Sequence, residues 1–349
     1  MKDLPVKIAL AGVGNLASVF LQGLKFYSGD ERRGLWHPNV AGLKPKDIQV
    51  VAAFDIDPRK VGLDLSKAAF APPNVARRYV PLSKSKVVVG SGVSRGDVAP
   101  HLSGVRVARG TTEEVARELD DSGAEIFVNL ISSGSTASSE EYARAALRAD
   151  CAFVNCTPSL VLKNGKVAAD FQRAKLPLIG DDLMSQFGGT IFHKGLLGLM
   201  VKRGVKVSKS YQLDVGGGSE TLNTIDEGIK MAKREVKTKA VASEVPYNFE
   251  TIAGTTDFVD YMGNDRTSYF WFEGSGFMDS GISVDIYLRS SDGANGGNVL
   301  LDIVRAAHRC IKVGRLGTVG EICAYGFKSP PKPMRFDEAY SKFAALYIR

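Results

Sequence analysis

Apolar positions along this chain follow two rhythms, and the change between them falls near residue 205. Before it, short unbroken apolar runs alternate with segments of helical spacing. Val6–Ala11 and residues 48–54, 124–131, 151–155 and 176–179 are runs of the first kind. Such runs mark strands buried on both faces. Residues 15–24, 58–70, 112–122 and 138–149 place their apolar side chains at helical intervals. Glu113 and Glu114 stand in the first turn of the helix over 112–122, where the dipole favours acid. The alternation predicts a parallel βαβ array. Two stretches interrupt it. Residues 26–47 are polar and rich in Gly and Pro, and predict a long inserted loop of the kind that often carries function. Residues 71–110 hold only short β-like runs, at 86–89 and 105–107, and read as a variable surface segment.

A helix from about Phe187 to Arg203 leads into the second rhythm. There, runs at 210–215, 270–273 and 282–288 predict the strands of a second sheet. An amphipathic helix over 298–312 follows a Gly-rich loop, SSDGANGGN, and a last helix spans 336–347. With 349 residues the chain predicts about two domains.

The first strand supplies the first chemistry. Val6–Ala11 runs into Gly12-Val13-Gly14, and Asn15-Leu16-Ala17 opens a helix. Strand, glycine turn and helix form the entry of a dinucleotide-binding fold: Gly12 permits the tight turn and Gly14 the approach of a pyrophosphate. The helix start adds free N–H groups and a positive dipole end. Residues 48–54 end in Asp55-Ile56-Asp57. An acid there can bind the ribose diol, which favours NAD over NADP; it can also cap the next helix. Ser132 and Ser133 stand at the carboxyl end of the 124–131 run, where sheets of this type bind ligands. The fold class predicted is therefore α/β, a Rossmann-type doubly wound parallel sheet joined to a second α/β (α+β) domain.

The stretch GDDLMSQFGGTIFHKGLLGLMVKRG, residues 180–204, puts Asp181, Asp182, Ser185 and Gln186 at the mouth of that sheet, ahead of a helix. Ser185 can help cradle a phosphate or can simply cap the helix. Residues 230–241, KMAKREVKTKAV, are cationic. Lys233 and Lys237 share one face if the stretch is helical. Such a face can be merely solvated, can neutralise phosphate, or can transfer protons once burial lowers a lysine pKa. Asp292 lies in the Gly-rich loop, Lys328 returns in a late segment, and His308 reads as structural.

Charge and cysteine content narrow the choice of partner. The net charge of +7 is spread along the chain, which suits an anionic small substrate better than a nucleic acid. Cys151, Cys156, Cys310 and Cys323 form no CxxC pair, and no His/Cys cluster has zinc-site spacing, so no metal site is expected from the residues. No apolar run reaches the ~18 residues of a membrane span. The first residues run straight into a strand and lack a secretory h-region, so a cytoplasmic protein without membrane contact is expected.

Taken together, the blocks resemble the inositol-3-phosphate synthase (myo-inositol-1-phosphate synthase) family, particularly its archaeal and actinobacterial-type branch. They are GVGNLAS at 12–18, GLWH through VAAFDID to KVGLDL between 34 and 65, GDDLMSQFGGTIFHK at 180–194, and DVGGGSETLN at 214–223. VKTKAV at 236–241, FEGSGF at 272–277, Asp292 before DIVRAA, and FKSPP at 327–331 complete the set. The resemblance implies NAD-dependent conversion of D-glucose 6-phosphate to 1D-myo-inositol 3-phosphate. The steps are oxidation at C5, enolisation, aldol closure onto C1 and re-reduction. It implies catalytic roles for Lys233, Lys237, Lys328 and Asp292, with Arg266 at or near a further family lysine. It implies cofactor contacts from Gly12, Gly14, Asn15, Leu16, Asp55, Ser132, Ser133 and Asp182, and phosphate contacts from Ser185 and Gln186.

The resemblance further implies an NAD-binding domain over 1–195 plus 305–349, a catalytic and oligomerisation domain over 196–304, and a homotetramer. It leaves room for a monovalent or divalent cation, with Asp182 and Asp292 as oxygen donors. Gly218, Glu220 and Met184 stand where the family carries Asn, Asp and Lys. An alternative is a divergent member, a dehydrogenase or cyclase acting on another phosphosugar. A non-catalytic NAD-binding sensor is a third reading, which the retained lysines disfavour.

Overall fold

The computed structural model describes residues 5–348. The expectation about the chain's first residues concerns residues 1–4, which lie outside the described ones, as does residue 349. The elements in chain order are β1 (Val6–Ala11), α1 (Asn15–Phe26), β2 (Ile48–Asp55), α2 (Leu65–Ala68), β3 (Gly90–Ser91), α3 (Thr112–Ser122) and β4 (Ile126–Asn129). Next come α4 (Thr136–Arg148), β5 (Ala152–Asn155), α5 (Gly165–Ala174), β6 (Pro177–Ile179), α6 (Gly189–Lys202), β7 (Lys206–Gly216), α7 (Ser219–Leu222) and α8 (Glu227–Ala242). The chain closes with β8 (Glu250–Phe258), β9 (Asp265–Ser275), β10 (Gly281–Ser291), α9 (Asp292–Lys312), β11 (Gly317–Thr318), α10 (Gly320–Gly326) and α11 (Phe336–Tyr347).

β1 to β6 and β11 form a parallel sheet in the order β11-β6-β5-β4-β1-β2-β3. The order reverses at β1, and there the doubly wound fold opens its ligand crevice. Ile8, Leu10, Ile126, Val128, Phe153 and Val154 are fully buried at its centre. The second sheet runs β10-β9-β7-β8, with β7 and β8 parallel and the other pairs antiparallel. Its inner face packs Phe270, Phe272 and Ala253 against Leu197 and Met200 of α6 and Val241 of α8.

The local elements depart from the sequence expectation in identifiable ways. Only Leu65–Ala68 of the expected 58–70 helix is helical, because Gly62 takes a positive φ of 82° and Lys60 is drawn to the carbonyl of Val13. The runs at 86–89 and 105–107 do not join the sheet; residues 90–91 pair with the end of β2 instead. The Gly-rich stretch before 298 is not a loop: α9 begins at Asp292, with Gly293, Gly296 and Gly297 turned against α1 so that the two helices pack closely. α9 then continues unbroken to Lys312. α5 was not expected although Val167 and Phe171 are buried on one face, and β8 carries little apolar contrast, being buried only at residues 253–255.

The inserted loop over 26–47 is exposed or half-buried up to residue 34 and packs Leu35, His37, Val40 and Leu43 into the core after it, and none of its residues lines the main cleft. Trp36 stacks on Tyr325 and Tyr340, and the fully buried Arg305 donates to the carbonyls of His37 and Leu43. The loop thus clasps α9 to the C-terminal helices. Among the described residues, no helix is long and apolar enough to cross a membrane.

Candidate active site

The cleft begins at the glycine turn. Gly12 has φ of 88°, and a Cβ there would lie 2.9 Å from the backbone of Leu130 on β4's exit. Only glycine lets β1 turn this close to its neighbour. The turn is fixed by Asp55, whose Oδ2 accepts from Val13 N at 2.8 Å and whose Oδ1 accepts from Asp57 N at 2.9 Å. Asp57 is held by Arg59 through two parallel contacts, and its carboxyl lies below the usual range: burial would raise it, and the Arg59 pairing prevails. Gly12, Asp55 and Asp57 line a side cavity that joins the main cleft at Gly14 and Ser132. Asn15 accepts from Val75 N and Ala76 N, so its side chain pins the 71–80 segment beside the turn. Leu16 lines the cleft. Ser133 lines neither cavity; its N–H donates to Glu220 Oε1 at 2.9 Å.

At the other end four cations each meet a carboxylate. Lys237 Nζ donates to Asp214 Oδ2 at 2.7 Å, and Lys233 Nζ to Glu220 Oε2 at 3.0 Å. Lys328 Nζ donates to Asp182 Oδ1 at 2.6 Å, and Arg266 Nη2 to Asp292 Oδ2 at 2.7 Å. α8 explains the first two. Asp226 caps it by accepting from Ile229 N, and its buried stripe is Lys233, Lys237, Ala240 and Val241. The two lysines lead that stripe, so they point at the cleft. Lys328 arrives because residues 328 and 329 bond back to the carbonyls of Asp182 and Asp181.

Burial pushes the Lys237 ammonium down to about 8, against the pull of Asp214, and the positive charges of Arg266, Lys328 and Lys233 push the same way. Burial would raise the Asp214 carboxyl, but Lys237, Arg266 and Ser268 hold it well below the ordinary range. Glu220 follows the same pattern, held down to about 2 by Lys233 and the Ser133 N–H against its burial.

Ser185 lies beside the start of α6, which Gly188 caps without a side-chain bond, and Gly189 and Thr190 face the same cleft. Ser185 is therefore not the N-cap. Gln186 is not in the cleft: its N–H donates to Asn295 O and its Oε1 accepts from Asn298 at 2.6 Å. The chain reverses after Ser185, so two residues adjacent in sequence face opposite sides. Asp182 and Asp292, the two oxygen donors named for a hard cation, are committed to Lys328 and Arg266, and no group of three His, Cys, Asp or Glu gathers among the described residues. Sequence reasoning passed over Asp214, Gln212 and His193, which lie under Lys237. For the two on β7 the signal is the strand period, since Ser210, Gln212 and Asp214 occupy one face, whereas His193 comes from α6.

A sequence profile of the myo-inositol-1-phosphate synthase family matches residues 188–293, the stretch that carries α6, α8 and three of the four cation–carboxylate pairs, those of Lys233, Lys237 and Arg266. Over its full length the chain is 31% identical to inositol-3-phosphate synthase of Corynebacterium glutamicum, covering 99% of that protein. It is 32% identical to the Mycobacterium tuberculosis enzyme, over 98% of this chain and 96% of the other. The chain belongs to the inositol-3-phosphate synthase family. The crystal structure of Ari2 superposes with a TM-score of 0.79 at 30% identity, over 98% of this chain and 99% of that one. Inositol-3-phosphate synthase of Caenorhabditis elegans shares the fold at 13% identity, with a TM-score of 0.79 over 99% of this chain and 85% of that one. Within this inositol-3-phosphate synthase framework, Arg266 occupies β9 between Asp214 and Asp292, and Glu220 still presents a carboxylate to Lys233.

Proposed function

We propose that this protein converts D-glucose 6-phosphate into 1D-myo-inositol 3-phosphate, with NAD as a regenerated cofactor. The observation that carries this reading is the convergence of Lys233, Lys237, Lys328 and Arg266 on one cleft, between the glycine turn and the start of α6. Negative charge develops on sugar oxygens during enolisation and ring closure, and cations fixed beforehand stabilise it without reorganising. The residues present fit NAD. The Gly12 cradle would be filled by any Cβ, and Asp55 and Asp57 line the cavity beyond it. Gly12, Gly14, Asn15, Leu16 and Ser132 would hold it, and bound there it supplies the acceptance and return of one hydride. Asp182 holds Lys328 at the junction of the two ends.

Ser185 and the uncapped N–H groups opening α6 take the phosphate. Lys237, with its Nζ proton loosened towards neutral pH, takes a proton from a sugar oxygen and returns it. Lys233 and Lys328 balance charge on the neighbouring oxygens. Arg266 contributes charge without transferring a proton, since guanidinium stays protonated. Asp292 aims it.

The outer face of the second sheet supports a homotetramer. Tyr211 stacks on Trp271 with centroids 5.4 Å apart, Tyr269 meets Tyr287 at 4.8 Å, and Tyr287 is 72% exposed. An aromatic face of this kind fits a second copy of the chain. The setting proposed is cytoplasmic inositol biosynthesis, feeding phospholipid headgroups.

The test is an end-point assay with glucose 6-phosphate and NAD⁺, its products identified by phosphorus NMR beside an inositol phosphate standard. Inositol phosphate without net NADH is expected. A keto sugar with stoichiometric NADH would instead make the protein a dehydrogenase that has lost cyclisation.

A further inference from the structure

Beneath Lys237 lies a chain of buried polar side chains to which the reaction gives no part. Thr251 Oγ1 and Ser210 Oγ are 2.8 Å apart, and Ser210 Oγ lies 2.9 Å from His193 Nε2. His193 Nδ1 lies 3.3 Å from Gln212 Oε1. Gln212 Nε2 donates to Asp214 Oδ1 at 2.8 Å and to Oδ2 at 3.0 Å. His193 and Gln212 are fully buried, and Asp214 and Ser268 nearly so.

The donors in this chain have one consistent direction. The amide nitrogen of Gln212 faces a carboxylate, so its oxygen must accept. His193 therefore carries its proton on Nδ1, and its Nε2 accepts from Ser210. Ser210 in turn accepts from Thr251. A neutral ring is required for this, and burial pushes His193 down to about 4. Phe270 and Phe272 hold the ring edge-on from the sheet side. At the far end each Asp214 oxygen meets two donors: Gln212 and Ser268 at Oδ1, Gln212 and Lys237 at Oδ2. The first turn of α6 makes room for this approach, since a Cβ on Gly189 would collide with Gln212 Nε2 and lie 3.1 Å from Asp214 Oδ1.

We propose that His193 and Gln212 are positioning residues that orient and saturate Asp214, and thereby set how tightly Lys237 holds its proton. The inference rests on the proton-carrying role given to Lys237 above. A carboxylate shared among Gln212, Ser268 and Lys237 pulls less on the Lys237 ammonium than one that faces Lys237 alone. The other charges facing Lys237 are Arg266 from β9, Lys328 from the late segment and Lys233 from its own helix, with Glu220, Asp182 and Asp292 behind them. None of these is touched by changing His193 or Gln212.

The experiment uses Gln212→Leu and His193→Phe in the full-length protein. The first removes the amide donors to Asp214 and leaves those of Ser268 and Lys237. The second removes the proton that orients the Gln212 amide and replaces imidazole with a ring of the kind already around it, so it serves as the test if Gln212→Leu does not fold. Two readouts are taken across pH. One is reductive methylation of Lys237, followed by peptide mass spectrometry, which needs no turnover. The other is the acidic limb of kcat for glucose 6-phosphate. In both variants the methylation midpoint is expected to rise by about 0.5–1 pH unit, with the kcat limb moving alongside and KM unchanged within about twofold. Folded variants whose methylation midpoint stays at the wild-type value would overturn the proposal. A midpoint that moves while the kcat limb stays would uphold the positioning and overturn the proton-carrying role of Lys237.

Discussion

At the cofactor end of the cleft the working groups are mostly backbone, while at the lysine end they are charged side chains held in pairs. The glycine turn depends on a positive φ and on the closeness of Leu130, and Asp55 serves it by accepting the Val13 N–H. The lysine end uses the backbone only to make room, as at Gly189. It has four cations against four carboxylates, arranged so that burial and mutual repulsion loosen one proton, that of Lys237. The first plan makes binding robust and leaves chemistry to the ligand. The second makes chemistry sensitive to every neighbouring charge. Glu220 joins the two, taking the Ser133 N–H on one oxygen and Lys233 on the other.

The sharpest separation of the two ends comes from Lys237→Ala. Turnover is expected to fall by about 10²–10⁴-fold, as for loss of a proton-transfer group, while NAD affinity by titration calorimetry stays within about twofold. A parallel loss of NAD binding would join what the comparison divides. Gly12→Ala should act on the opposite end. Its Cβ would meet backbone at 2.9 Å in a left-handed conformation, so NAD affinity should fall by about tenfold or more and thermal stability by about 1–3 kcal/mol. The pH dependence of Lys237 methylation should not change.

Glu220→Gln probes the bridge. The side chain keeps an acceptor for Ser133 but loses its charge against Lys233, and kcat should drop about tenfold with a smaller rise in KM for NAD. A last effect is on stability and not on turnover. His193 is neutral in the folded protein down to about 4, whereas its ordinary value is 6.5. The unfolded chain therefore binds a proton that the folded one refuses between those values, and stability declines as pH falls through that window. Chemical denaturation at about pH 7 and pH 4.5 should show His193→Phe losing about 2–3 kcal/mol less than wild type between the two.

The parallel array and glycine turn were legible because fully buried strands and a strand–glycine–helix entry write themselves locally. Lys233 and Lys237 were legible as a pair four apart on one helix face. Gln186 was misleading for a local reason: its neighbour Ser185 faces the cleft, and the next bond turns Gln186 towards Asn298. The layer beneath Lys237 was hidden by an inversion. On β7 the polar Ser210, Gln212 and Asp214 are buried, while Tyr211, Leu213 and Val215 lie on the more exposed face. Periodicity alone assigns polar positions to solvent. Here one face of the strand lines the cleft and the other carries the aromatic Tyr211, so the ordinary assignment is reversed. Arg266 shows the same limit: its charge was evident, but its placement between Asp214 and Asp292 depends on pairing with Gly216 and Ser290 across three strands.

A hydride that leaves the sugar and returns to it within a single cleft can be followed by incubating the protein with NAD⁺ and glucose 6-phosphate deuterated at C5, then locating the label by mass spectrometry and NMR. Inositol phosphate that retains the deuterium is expected, with no NADH accumulating. Deuterium recovered in NADH, beside an uncyclised keto sugar, would contradict that return.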